Sequence, residues 1–371
     1  MMQIKDTVKM KMVRSSGYNY TFHKENGLFV RWGTNLDDDP AFSPYGPEIL
    51  DLEISSGKCK SGCKFCYKRN GPNEEEVNMT FEQFKIILDK MPKVLTQIAF
   101  GLCDMHSNPD FFKMAMYARS KGIIPNFTTS GQDVTPVVAE LAGRLCGALA
   151  VSIVNKEKSY DAIKLFTDEI GKPGNTLNAV NIHFMLSEET WEKAFNIIDD
   201  VASDPRLKKV NAIVYLQYKP KGHNTDAFHP ISTVKKYKKL IAYSKDKGVG
   251  AGFDSCSAPL FFKTVEGQAD EEQMLILAEP CESGLFSSYI NCEGKYFACS
   301  FCEGEKGWEE GLDVLNCQDF LKDVWFAKKA IQWRATITTS SCGCNCKFVK
   351  QCRSCPVFNV TACKDSQNVE I

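Results

Sequence analysis

Cys59, Cys63 and Cys66 stand in the run Glu53-Ile-Ser-Ser-Gly-Lys-Cys59-Lys-Ser-Gly-Cys63-Lys-Phe65-Cys66-Tyr67, directly after an alternating apolar stretch. Three thiols packed so closely in sequence, with an aromatic just before the third, restrict what the chain can build around them. A cubane iron–sulfur cluster normally takes four cysteines, so three thiolates leave one iron open to a ligand that is not protein. The competing readings are a zinc knuckle and buried thiols. Zinc wants four ligands in two spaced pairs, and no fourth cysteine or histidine stands nearby before Cys103 and His106.

The rest of the chain alternates candidate strands with helical patterns. Strands are expected at Ile49 to Ile54, Leu95 to Phe100, Ile124 to Thr129, Ala148 to Ile153, Ala179 to Met185, Val210 to Leu216 and Val249 to Asp254. Phe81, Phe84, Ile87, Leu88 and Met91 mark one face of a helix, as do Trp191, Ala194, Ile197, Ile198 and Val201 of another. Such alternation implies βαβ units and a parallel sheet, either open and doubly wound or closed into a full or partial barrel. Before it, Tyr18, Tyr20, Phe22 and Leu28 to Trp32 predict a hairpin, followed by a loop through Asp37 and Pro40.

With 371 residues and 43% hydrophobic content the chain can bury a large core and a smaller second one. Its net charge of −1 demands neither nucleic acid nor an anionic membrane, although Arg206 to Lys247 is locally rich in lysine and reads as a solvated face. The apolar runs are too short for a membrane span, and Met1 to Lys11 is charged rather than a signal core; a cytoplasmic location is expected. Of the 17 cysteines, 12 fall between Cys256 and Cys363, which points to metal thiolates rather than a disulfide framework.

The three-cysteine loop resembles the signature of the radical S-adenosylmethionine (SAM) enzymes, with Phe65 as the aromatic of the pattern. The resemblance covers roughly residues 48 to 250. It implies an α/β fold, a partial (β/α)6 barrel with a small cysteine-rich C-terminal domain, and a [4Fe–4S] cluster whose open iron takes the amino and carboxylate groups of SAM. Reductive cleavage of SAM would then give a 5′-deoxyadenosyl radical, which abstracts an unactivated hydrogen, chemistry that no side-chain acid or base performs. Family contacts to SAM map onto Gly101 and Asp104 after the second strand, Ser130 after the third, Ser152 on the fourth and Asn181 or His183 on the fifth. The expected domains are residues 1–46, 47–255 and 256–371.

A second resemblance lies near the C terminus. Cys281, Gly294 and Cys299 fit the Cys-x9–15-Gly-x4-Cys opening of the SPASM domain, an auxiliary-cluster module. Downstream, Cys342, Cys344, Cys346, Cys352, Cys355 and Cys363 follow the family pattern with two departures: a Cys-x-Cys-x-Cys start and a third interval one residue short. The resemblance implies a first auxiliary cluster on Cys281, Cys299 and Cys355, with Cys292 as fourth ligand, and a second drawing on Cys342 or Cys344, Cys346, Cys352 and Cys363. Structural zinc is the alternative. Cys256 is open to three roles: cluster ligand, hydrogen-atom donor or inert thiol. Asp254 is read either as a catalytic base or as a cap and salt-bridge partner.

These features imply an enzyme that abstracts hydrogen from a peptide or protein side chain, forming a thioether or carbon–carbon crosslink, an oxidation or an epimer. A flavodoxin or ferredoxin would supply electrons. Radical chemistry on a small molecule or cofactor precursor is the second reading. The third is a non-catalytic metal- or nucleic-acid-binding protein with Lys208, Lys209, Lys219, Lys221 and Lys235 to Lys239 as its footprint; the balanced charge argues against it.

Overall fold

The computed structural model describes residues 2–339, 347–348, 352–353 and 355–358; Cys342, Cys344, Cys346 and Cys363 lie outside them. The chain opens on a four-stranded antiparallel sheet, β1 (Gln3–Asp6), β2 (Met10–Arg14), β3 (Asn19–His23) and β4 (Phe29–Trp32), paired in chain order. The expected hairpin is β3–β4, and β1–β2 extend it. This sheet lies against the entry ends of the larger one: Lys11 Nζ donates to Leu95 O at 2.6 Å and Tyr20 Oη to Val94 O at 2.6 Å.

All seven expected strands are present. β5 (Ile49–Glu53) leads into the cysteine loop, whose flanks pair as β6 (Ser55–Ser56) and β7 (Val77–Asn78), and then into α1 (Phe81–Lys90). There follow β8 (Gln97–Gly101), α2 (Phe111–Ser120), β9 (Ile124–Thr129), α3 (Pro136–Leu145), β10 (Ala148–Ser152), α4 (Lys156–Thr167), β11 (Ala179–Leu186), α5 (Trp191–Ser203), β12 (Ile213–Gln217), α6 (Val234–Asp246) and β13 (Ala251–Phe253). The helices start where the sequence supplies caps. Thr80 and Gln83 form a capping box on α1, Thr135 caps α3 ahead of Pro136, and Asn155 caps α4.

The chain then runs through α7 (Ala258–Val265) and α8 (Glu271–Leu275) to β14 (Ser287–Ile290), β15 (Lys295–Phe297), β16 (Leu312–Asp313) and α9 (Lys328–Thr339). The large sheet has the order β13-β12-β11-β10-β9-β8-β5-β14-β15-β16. β5 and β8 to β13 are parallel neighbours, as successive crossovers require, and β14 adds in parallel on the far side of β5. The sheet therefore continues across the expected boundary at residue 255.

Alternation along the strands separates two faces. In β11, Val180, Ile182, Phe184 and Leu186 are buried, whereas Ala179, Asn181, His183 and Met185 are only half-buried. The same register puts Asp51, Ala99, Gly101, Thr128, Ser152, Val214 and Gly252 on the half-buried face. Small residues among these positions leave an open hollow on that side. Among the described residues, no helix is long and apolar enough to cross a membrane.

Candidate active site

The cysteine loop leaves β5 at the exit ends of the parallel strands, where ligand sites of open α/β sheets form. Its shape is set by backbone bonds: Cys59 N to Gly71 O and Gly71 N to Gly57 O, both 2.9 Å, and Cys66 N to Cys63 O at 3.1 Å. Burial pushes the Cys63 thiol up to about 12, helped by negative charge on Cys66 and Cys59, so all three sulfurs share one electrostatic neighbourhood. Thiolates held together against such repulsion call for a cation between them. Among the described residues, no three histidine, cysteine or acidic side chains stand close enough to share a single metal ion. A cubane, in contrast, binds each thiolate to a different iron.

Neighbouring loops clasp this loop from outside. His223 N donates to Cys66 O at 3.1 Å, Asn224 Nδ2 to Lys64 O at 2.9 Å and Gln132 Nε2 to Ser61 Oγ at 2.7 Å. Gly222 has φ +90° and lies so close that a Cβ there would run into Cys66 O. Phe65 packs edge-on against Phe228, with ring centroids 5.8 Å apart.

The expected SAM contacts come to the same mouth. Gly101 ends β8 with its Cα face on the hollow, and a Cβ there would sit 3.3 Å from Glu53 Cα. Ser130 Oγ is buried without a hydrogen-bond partner among the described residues, as is Asp133 Oδ2. Ser159 Oγ joins Ser130 O at 2.9 Å and Ser152 O at 3.4 Å, drawing the ends of β9 and β10 together. An orphaned hydroxyl beside a glycine cradle fits a polar cofactor laid across these strand ends. Asp104 Oδ2 accepts from Lys60 N at 2.9 Å and its Oδ1 lies 3.9 Å from Cys59 Sγ, so it fastens the β8 turn to the cysteine loop. Cys103 Sγ lies 3.6 Å from Ser55 O in the same turn.

Solved structures match this arrangement. Streptococcus suis SuiB bound to its precursor peptide SuiA aligns with a TM-score of 0.68 over 95% of this chain and 95% of that one, at 13% identity. The chain has the SuiB fold. SuiB bound to S-adenosylmethionine aligns with a TM-score of 0.59 at 14% identity over 84% of this chain and 71% of that one. anSMEcpe with bound AdoMet and Cp18Cys peptide gives 0.59 at 15% identity, over 82% of this chain and 88% of that one. No family model and no curated protein matches the sequence. The mixed α/β architecture with a large parallel sheet is thus the one these structures share.

The C-terminal thiols divide. Cys281, Cys299 and Cys355 feel one another's charge, and Cys256 feels Cys281 and Cys355. Burial holds the Cys281 thiol up at about 11. Cys292 sits elsewhere, its Sγ 3.2 Å from Ser56 Oγ and its N–H donating to Glu53 Oε2 at 3.4 Å. Cys302 Sγ turns back on Cys299 O at 3.0 Å, and Cys317 Sγ on Val314 O at 3.3 Å.

Asp254 pairs with Lys219 Nζ at 2.9 Å and accepts from Ser257 Oγ at 2.6 Å, so the cap and salt-bridge role is the one present. Lys219 is buried and lies 4.4 Å from the Phe301 ring centroid; Lys221 Nζ reaches Phe301 O at 2.9 Å. Neither lysine is free to form part of a nucleic-acid footprint.

Three residues to which sequence reasoning gave no role, Lys68, Tyr67 and Asp51, join His183, offered there as a SAM contact, around the mouth and the hollow below it. Lys68 bridges Glu53 Oε1 at 3.1 Å, Tyr289 Oη at 2.6 Å and Glu303. Tyr67 stacks on Phe301 with centroids 4.3 Å apart, which sets the aromatic after Cys66 against the one between Cys299 and Cys302. His183 faces the hollow, and burial lowers it to about 4, so it is a neutral imidazole at pH 7. Asp51 faces the hollow from mid-β5, and its desolvation raises it to about 6. A charged residue inside an apolar strand was the signal for it.

Because its pKa in the folded chain lies above the ordinary carboxylate value, Asp51 favours folding below about pH 4, and that contribution is lost as pH rises through about 6. Asp51→Asn is therefore expected to stabilise the protein at pH 8. Discounted for water in the hollow, the gain is on the order of 1 kcal/mol. Thermal unfolding at pH 8 and pH 4 checks it: a gain of equal size at both would rule this origin out.

Proposed function

We propose that the chain is a radical SAM enzyme acting on a peptide or protein side chain. Cys59, Cys63 and Cys66 hold a [4Fe–4S] cluster, and Gly101, Ser130 and Ser152 line the place for SAM. The observation that carries this reading is the three-thiol loop at the mouth of a parallel sheet whose fold is that of SuiB along 95% of the chain. Support for a peptide substrate comes from the neighbours: SuiB is seen with SuiA, and anSMEcpe with AdoMet and Cp18Cys peptide.

The bound cluster and SAM would supply a radical able to take an unactivated hydrogen. The chain's own part is to hold and shield. Phe65, Tyr67 and Phe301 wall the mouth with apolar surface, and the Lys68 network closes its polar side. Neutral His183 and the half-buried floor of the sheet leave room for a side chain to stand beside the cofactor. Cys256, Cys281, Cys299 and Cys355 form the ligand set for one auxiliary cluster, with Cys256 in the place that the family pattern offered to Cys292. Their common electrostatic neighbourhood supports this set.

The test uses anaerobically reconstituted protein, SAM and a low-potential reductant, with a candidate peptide deuterated at its side chains. Formation of 5′-deoxyadenosine carrying deuterium is the expected result. Absence of 5′-deoxyadenosine from protein with a full iron complement overturns the radical SAM reading. Deuterium transfer from a small molecule but from no peptide overturns the peptide part.

A further inference from the structure

The floor of the hollow holds a carboxylate with no counter-charge. Asp51 stands in mid-β5, in register with Ala99 on β8 and Tyr289 on β14. It is exposed to the hollow although protein surrounds it, and burial is the sole influence resolved on its carboxyl group. The other acids on this face are engaged: Glu53 with Lys68 and Tyr289, Asp254 with Lys219 and Ser257. Among the described residues the Asp51 carboxylate has neither an ion pair nor a hydrogen bond. The charge of Asp51 is felt at the Tyr67 hydroxyl.

An ionised carboxylate in such a place is costly unless a cation or several donors reach it. In the row of Asp51 stand Ala99, Tyr289 and Asn126, whose side-chain amide is taken up by Gln97 and Ala148 N, and none of these supplies a positive charge. Asp51 also lies two residues below Glu53, which pairs with Gly101, so it stands about 6.5 Å deeper along the strand than Gly101, and Ser130 and Ser152 lie two residues higher still. A group bound to Asp51 would therefore sit beneath the cofactor contacts.

We propose that Asp51 anchors the substrate, receiving an alkylammonium or guanidinium group such as a lysine or arginine side chain carries. The assignment rests on the reading of the hollow as the substrate site. It narrows the substrate class to side chains that bring a cation past the cofactor, leaving the methylenes nearer the mouth.

Carbodiimide labelling of the reconstituted full-length protein tests this, with the adduct at Asp51 quantified by mass spectrometry and Glu53 read beside it. n-Butylguanidinium should protect Asp51 about tenfold better than neutral n-butylurea, as a single ion pair would give. Equal protection by both, or by neither, overturns the proposal; so does protection by SAM alone, which would make the cofactor the cation. Failure to label Asp51 at all also overturns it, because the hollow would then be closed. Iron content and 5′-deoxyadenosine formation, measured on the same sample, report separately on the radical SAM reading.

Discussion

The Cys59/Cys63/Cys66→Ala protein, reconstituted anaerobically, is expected to carry about four fewer irons than the wild type and to form no 5′-deoxyadenosine from SAM. The three thiols are the donors on the β5 loop, and the loops that clasp it contribute hydrogen-bond donors, the His223 N–H and the side-chain amides of Asn224 and Gln132. An unchanged iron count would sink the assignment of the loop. The same assay separates the auxiliary ligands. Cys256→Ser should change the electron paramagnetic resonance spectrum and lower the iron content beyond what the loop variant removes, whereas Cys292→Ser should leave both as they are. Cys292 is hydrogen-bonded to Ser56 and Glu53. The reverse outcome would return the fourth position to Cys292.

Arg31→Met is expected to cost roughly 3–5 kcal/mol of stability at pH 8, because one guanidinium serves two largely buried acids besides the exposed Asp39. Arg31 pairs with Glu48 at 2.8 Å and Glu282 at 2.7 Å, and its Cζ stands 3.4 Å from the Phe286 ring centroid. These partners belong to the N-terminal sheet, the entry to β5 and the cysteine-rich region, so a single side chain ties three segments. Glu48, which also accepts from Tyr18, is pushed up to about 7 by burial against the pull of Arg31. Without Arg31 its folded pKa moves further above the unfolded value. The variant's deficit should accordingly grow as pH rises through 7 and shrink toward pH 5 as Glu48 takes a proton. Melting curves at both pH values check the sign; a deficit independent of pH would contradict it.

The strands of the large sheet were legible because each is a short apolar run between turn residues. Their edges were less so: Val210 to Leu216 is observed as Ile213–Gln217, and Val249 to Asp254 as Ala251–Phe253. β1 was missed because Gln3–Asp6 is an exposed edge strand with little apolar pattern. The cysteine loop was legible from spacing. The pattern joined Cys281, Cys299 and Cys355 and left Cys256 open among three roles; that Cys256 feels the charge of Cys281 and Cys355 was not legible, since it depends on where β13 ends relative to segments far along the chain. Lys219 looked like part of a solvated lysine run, and only its burial against Asp254 and Phe301 reveals otherwise. Asp51 and Lys68 were hidden for the same reason: a charge reveals its role through the partners it has or lacks in space.

The pairing of β14 with β5 has a consequence for biosynthesis. β5 forms early, yet the strand that covers its outer edge ends at Ile290, so that edge waits for some 240 residues of translation. During that interval the nascent sheet presents unpaired amides and carbonyls directly beside the cysteine loop, the kind of surface that recruits other strands. A chain cut at residue 255 would keep this edge permanently. Such a fragment should be collected as aggregate rather than as an independent barrel, and the late-arriving cysteine-rich segment acts, in effect, as the intramolecular chaperone of the first strand.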